Sequence, residues 1–203
     1  MIGAEDALRS LLGEPSDLVQ SKIAERLNDL TRQFIERSPF LCLATSGADG
    51  SCDVSPKGDP AGFVRILDDR TLLLPDRPGN RLADSLRNVL ENPQVALLFV
   101  IPGVTDTFRV NGRAEIVTDP ELLELCAVEG KAPKLAMRIE IEQAYTHCSK
   151  AFLRSNLWDP ERFVDRSELP SPGEVLRSVN PEVEPEAYDA ERDERYARRE
   201  GFY

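Results

Sequence analysis

Residues 134–148 read KLAMRIEIEQAYTHC, and their alternation decides the class of fold. Leu135, Met137, Ile139 and Ile141 take every second place, with Ala136, Arg138, Glu140 and Glu142 between them. A period of two marks a strand with one face in a core and the other in water. Toward the N-terminal side the same texture runs back to Phe40. FLCLATS, CDVSPKG, FVRIL and TLLLP are short apolar runs separated by turn signals such as GADGS and DDR. NPQVALLFVIPG (92–103) reads as a buried strand. TDTFRVNGRAEIV (105–117) reads as another, whose mid-strand Gly112 signals a bulge or a close backbone approach.

Helices interrupt this meander. Ser16 is placed to cap a run in which Val19, Ile23, Leu27, Leu30 and Phe34 recur every three or four residues, a stripe suited to packing on a sheet. In LLLPDRPGNRLADSLRN (72–88), Pro75 to Gly79 ends a strand, and Asn80 is placed as N-cap of an amphipathic helix carrying Leu82, Leu86, Val89 and Leu90. Asp119 and Pro120 open a short helix, DPELLELCAVEG. Roughly six strands with two or three inserted helices and no β-α-β rhythm predict a mainly β chain of the α+β class, an antiparallel barrel with helices at its edges. The division expected is a helical segment over 1–37, the barrel over 38–147, and a helix with an extended acidic arm over 148–203. That arm holds Pro160, Pro170, Pro172, Pro181 and Pro185 before the charged stretch AERDERYARREGFY, and reads as either mobile or lying on a partner subunit.

The formal charge of −11, from 36 acidic and 25 basic residues, argues against nucleic acid or an anionic membrane as the general partner. The start, MIGAEDALRSLLGEPSD, has acids where a secretory leader has basic residues, and no apolar run is long enough to span a bilayer, so the expected location is the cytoplasm. Cys42, Cys52, Cys126 and Cys148 form no C-x-x-C pair, which fits reduced thiols. Against this acidic background Arg77 and Arg81 stand out. They flank Asn80 at a helix entrance, where the dipole and free N–H groups favour an anion such as phosphate. Two other pairs read blandly. His147 and Cys148 are strand neighbours that point to opposite faces, and Asp68 and Asp69 form a loop tip rather than a convergent acid pair.

Three segments in order, FLCLATSGADGSCDVSPKG, FVRILDDRTLLLPDRPGNRLADSLRNVLENPQVALLF and TFRVNGRAEIV, resemble the pyridoxamine 5'-phosphate oxidase-like family of FMN-binding split β-barrel proteins over about residues 38–118. HCSKAFLRSNLW is similar to one branch of it. The resemblance implies an antiparallel split β-barrel that holds FMN at a homodimer interface and uses it to oxidise or reduce a small organic molecule. It implies that Asn80 and Arg81 contact the FMN phosphate with Arg77 as helper, and that Ser55, Pro56, Lys57 and Gly58 run beside the ring. It also implies that Thr107 and Arg109 reach the flavin from the barrel, and that Lys150 and Trp158 come from the opposite subunit.

The residue types suit such a ligand: charged donors for a phosphate, backbone N–H groups for the polar ring edge, and Leu72–Leu74 with Val95–Val100 as an apolar wall. Lys57 would stabilise negative charge on a reduced flavin. The chain departs from the authentic B6 oxidases at two places. GFVRIL offers only Arg65, with Leu67 near the place of a second basic anchor, and YARREGFY lacks the basic, histidine-containing motif for the substrate phosphate. Vitamin B6 oxidation is therefore not expected. Alternatives of other classes stay open: a flavin carrier or sensor without turnover, or a barrel holding a deazaflavin or a haem, with His147 as almost the only axial candidate.

Overall fold

The computed structural model describes residue 3 and residues 5–203. One antiparallel sheet of seven strands organises it, in the order β2-β1-β5-β6-β7-β4-β3. The strands are β1 (Phe40–Ser46), β2 (Cys52–Gly58), β3 (Arg65–Ile66), β4 (Thr71–Pro75), β5 (Gln94–Val100), β6 (Thr107–Val117) and β7 (Ala136–His147). The hairpins β1–β2 and β3–β4 flank a central β5–β6–β7 meander, and the sheet ends at β2 on one side and β3 on the other. The helices are α1 (Glu5–Leu12), α2 (Asp17–Ser21), α3 (Asp29–Arg37), α4 (Asp84–Glu91), α5 (Pro120–Glu124), α6 (Lys150–Ser155), α7 (Pro172–Val179) and α8 (Pro185–Ala197). This is the split barrel with flanking helices that the alternation predicts. The seventh strand is the two-residue β3, all that the FVRIL run contributes. Among the described residues no helix is long and apolar enough to cross a membrane.

The alternation in β7 is real. Met137, Ile139 and Ile141 are buried and Arg138, Glu140 and Glu142 are exposed. They join Leu41, Leu43, Leu72, Leu74, Leu97, Phe99, Phe108 and Val110 in the main core, on which Phe34 stacks against Phe108 with ring centres 5.6 Å apart. Ala136 departs from the pattern. It lies under α5 in a second cluster with Leu73, Leu123 and Cys126, because the outer face of β4 and β7 is roofed there instead of wet. Asp119 caps α5 as expected, its carboxylate accepting from the N–H groups of Glu121 and Leu122. The register between β6 and β7 slips at Asn111/Gly112, the bulge that the mid-strand glycine signals.

The N-terminal run does not form the single helix that its periodicity predicts. Ser16 caps only the short α2, and the chain then opens so that Ala24 exchanges both backbone hydrogen bonds with Ala144, at 3.1 and 2.7 Å. Asn28 restarts the helix with a full capping box. The free edge of β7 beyond its pairing with β4 competes successfully for this segment. Leu27 and Phe34 reach the core as expected, whereas Val19, Ile23 and Leu30 remain exposed. The arm after Trp158 is also more ordered than its composition suggests. α7 and α8 pack on each other, with Asp189 accepting from the N–H of Gly173 at 2.8 Å.

α4 lies against β1, β2 and β6. Its buried Asn88 donates to the Thr45 hydroxyl at 3.0 Å and to the Asp53 carboxylate at 2.8 Å, which ties the helix to the first hairpin. Asn88→Leu is expected to lower stability by about 1–3 kcal/mol, since Thr45 and Asp53 would each lose a donor. Urea unfolding should show this as a lower midpoint at unchanged slope.

Candidate functional site

The segment from Asp76 to Ala83 links β4 to α4, and its two halves differ. The root is pinned. Arg77 Nε donates to Asp59 Oδ2 at 2.6 Å and a terminal guanidinium nitrogen donates to the carbonyl of Cys126 at 2.7 Å. The Asp59 side chain is 2% exposed and that of Arg77 15%, so this is a buried ion pair. Beside it, Lys57 Nζ meets Asp76 Oδ1 at 3.3 Å. The tip, residues 78–83, is exposed.

Asn80 does not cap the helix. Arg81 at φ 65° and Ala83 at φ 58° are left-handed, and α4 starts only at Asp84, without a side-chain cap. The Asn80 side-chain oxygen Oδ1 instead accepts from the N–H of Leu82 at 3.0 Å, a local turn that competes with helix. The uncapped start of α4 leaves its first-turn backbone N–H groups without a side-chain partner, and such groups are what an anion takes at a helix entrance. The one acid of the first helical turn, Asp84, is engaged by Arg87. Exposed Asn80 and Arg81 therefore set an amide and a guanidinium beside the uncapped first turn of α4, which fits a phosphate. Arg77 is in contrast an anchor of the loop, already satisfied on Asp59.

Ser55 and Lys57 pair with Leu43 and Leu41 and share the inner face of the sheet, while Pro56 sits opposite Cys42 on the outer face and Gly58 opposite Phe40. Thr107 and Arg109 are on the outer face, since Phe108 between them points into the core. Thr107 is 2% exposed. Arg109 donates to Asn111 at 3.1 Å and lies 5.9 Å from the ring of Tyr145. Trp158 donates from Nε1 to the carbonyl of Val104 at 2.9 Å and leans on Phe152 of α6, and Lys150 is exposed at the start of that helix. One chain thus gathers Lys57 and the Arg77–Arg81 loop on one side, along the strand that carries Ser55. It keeps Thr107, Arg109, Lys150 and Trp158 apart from them.

The expected apolar wall is available only in part: Ala96, Leu98 and Val100 of β5 stay half-buried on the outer face. Leu72, Leu73 and Leu74 are fully buried in the two clusters, and Val95, Leu97 and Phe99 lie in the main core. Arg65 is also committed, donating to the carbonyls of Leu125 and Gly62. His147 and Cys148 are exposed. Among the described residues no group of His, Cys, Asp and Glu is arranged to hold a metal ion. A cleft of about 670 Å³ opens at the other end of the sheet between Arg70, Arg113, Glu115, Arg138 and Glu140, and two of its charges, Arg138 and Glu115, pair with each other.

Four residues that organise the loop root escape sequence reasoning: Asp59, Asp76, Cys126 and Tyr203. Asp59 and Asp76 carry a weak signal, each beside a singled-out basic residue or its glycine neighbour. Tyr203 carries none. Its hydroxyl donates to Asp59 Oδ1 at 2.6 Å, and its ring lies 5.2 Å from the Arg77 guanidinium and 5.6 Å from that of Arg199. The hydrogen bond to Asp59 raises the phenol above its ordinary value of 10.0, and burial raises the thiol of Cys126.

Among solved structures, HupZ of Group A Streptococcus is 20% identical over 59% of this chain and 93% of its own, with a TM-score of 0.48. A putative pyridoxamine 5'-phosphate oxidase of Lactobacillus delbrueckii is 22% identical over 60% of this chain and 95% of its own, at 0.47. An FMN-binding protein of Syntrophomonas wolfei is 11% identical over 72% and 98%, at 0.43. The family model for pyridoxamine 5'-phosphate oxidase matches residues 27–148, more than half of the sequence, and the chain belongs to that family.

Proposed function

We infer that this protein binds FMN with its phosphate on the Asn80–Arg81 tip. The observation that carries the reading is a loop with a buried, ion-paired root and an exposed tip holding Arg81, beside an uncapped helix start, in a member of this family. Bound there, the flavin would supply two-electron redox chemistry toward a small organic molecule. Ser55 and Lys57 lie along the strand next to the loop and would face the ring. Lys57 acts there with its charge partly answered by Asp76, so it orients more than it attracts. Thr107 and Arg109 stand on the outer face of β6, three strands from Ser55 and Lys57 in the sheet order, and Trp158 is tied to the carbonyl of Val104. The reading therefore includes a homodimer in which a second copy brings that group to the flavin.

The first experiment is an absorption spectrum of the purified protein, with release of any chromophore and identification by mass. One FMN per subunit supports the reading, and a colourless protein that takes up no added FMN removes it. Rapid reduction of the bound flavin by a nicotinamide donor distinguishes an oxidoreductase from a carrier. Arg81→Ala is expected to weaken FMN binding by about 1.5–3 kcal/mol, the contribution of a hydrogen bond to a charged group. Unchanged affinity in a fluorescence titration of that variant would remove the phosphate assignment.

A further inference from the structure

We propose that Tyr203 is a positioning residue for the loop that carries Asn80 and Arg81: residues 199–203 dock on the buried Asp59–Arg77 pair and hold the loop by its root. The proposal rests on the reading of that loop as a phosphate site. The docking is built by several independent contacts. After α8 the chain reverses through left-handed Arg199 (φ 54°) and Gly201 (φ 77°). Phe202 sets its edge against Tyr196 at 5.8 Å, and Arg199 pairs with Glu129, beyond α5, at 3.0 Å. These contacts aim Tyr203 at Asp59.

The carboxylate of Asp59 is thereby shared, with Oδ2 taking Arg77 and Oδ1 taking Tyr203. The Tyr203 ring also covers the Arg77 guanidinium. Shielded from water, the ion pair is stronger than an open one. Arg77 stands four positions before Arg81, so whatever holds Arg77 restricts the tip. A tip ordered in advance loses less freedom when it takes an anion. By linkage, docking of Tyr203 and binding of an anion at the tip favour each other by the same factor.

The test uses the 203-residue chain. Tyr203→Phe keeps the ring over Arg77 and removes only the bond to Asp59, whereas Tyr203→Ala removes both. Amide hydrogen exchange, measured without flavin, reads the loop directly. Exchange over residues 76–83 is expected to rise about fivefold or more in Tyr203→Ala, at the lower end of typical site coupling, with β5 and β6 unchanged. Tyr203→Phe should fall between that variant and the parent.

FMN affinity is the second readout, expected to weaken about fivefold to tenfold in Tyr203→Ala. It also carries a pH signature. The phenol faces the Asp59 carboxylate with Arg77 and Arg199 beside it, and its value is raised in the fold. The bond is therefore complete below the ordinary value of 10.0 and lost as pH rises through the folded one. Parent affinity should fall in that alkaline range, and Tyr203→Phe should lack this component. Unchanged loop exchange in Tyr203→Ala overturns the positioning role. Faster loop exchange in a protein whose parent binds no FMN overturns the phosphate reading alone.

Discussion

Gly112→Ala should destabilise this protein by about 3 kcal/mol or more, at or above the upper end of what overpacking a core usually costs. At the β6–β7 register shift, a methyl group on residue 112 would collide with the Glu140 carbonyl oxygen and lie 3.0 Å from its carbonyl carbon and 3.4 Å from Cγ2 of Ile139. The first two obstacles are backbone, so no rotamer change relieves them. Relief requires moving β7 away from β6, and these are the two longest strands of the sheet. Their residues Phe108, Val110, Ala114, Met137, Ile139 and Ile141 build much of the main core, so the displacement would spread. Denaturant unfolding measures the effect. A loss below about 0.5 kcal/mol, the size of an ordinary surface change, would mean that the bulge can shift freely and does not set the register.

Arg77→Ala has the second largest expected effect, about 3–5 kcal/mol, the usual result of removing one partner of a buried ion pair. Asp59 would keep a charge at 2% exposure with only the Tyr203 hydroxyl to answer it, and the Cys126 carbonyl would lose its donor. The mechanism is testable apart from the magnitude. If an uncompensated charge is the cause, adding Asp59→Ala to Arg77→Ala should recover part of the loss. If the double variant is instead as unstable as the sum of the singles, the two residues act independently and the pair is not the reason. The contrast with Arg81→Ala matters for function. Arg81 is exposed at the tip, so its removal should weaken ligand binding and leave stability nearly unchanged. Removal of Arg77 should lower both.

Much of the fold is legible in the linear chain where one local rule suffices. The period of two in residues 137–142, the bulge glycine in β6 and the Asp119–Pro120 helix start all appear where expected. The candidate site is legible only in part. Arg77, Asn80 and Arg81 do share one loop, but their roles divide because Asp59 takes Arg77. Asn80 forms a turn rather than a cap because left-handed Arg81 and Ala83 delay the helix. The leucines of β4 were expected to wall a ligand, but α5 and the inner core cover both of their faces.

The sequence by itself determined the antiparallel class, the strand faces, the bulge and the Ser16 and Asp119 caps. Each of these depends on neighbours a few residues away, through the pleat, the peptide's need for hydrogen bonds and the steric freedom of glycine. The tertiary structure decided where the N-terminal run breaks, since the open edge of β7 offers Ala24 backbone partners that a helix there would exclude. It also decided that Arg77 anchors rather than binds, and that Tyr203 meets Asp59 across 144 positions of chain. No periodicity extends over such a distance. A buried carboxylate demands partners, and only the folded sheet shows which groups can reach it.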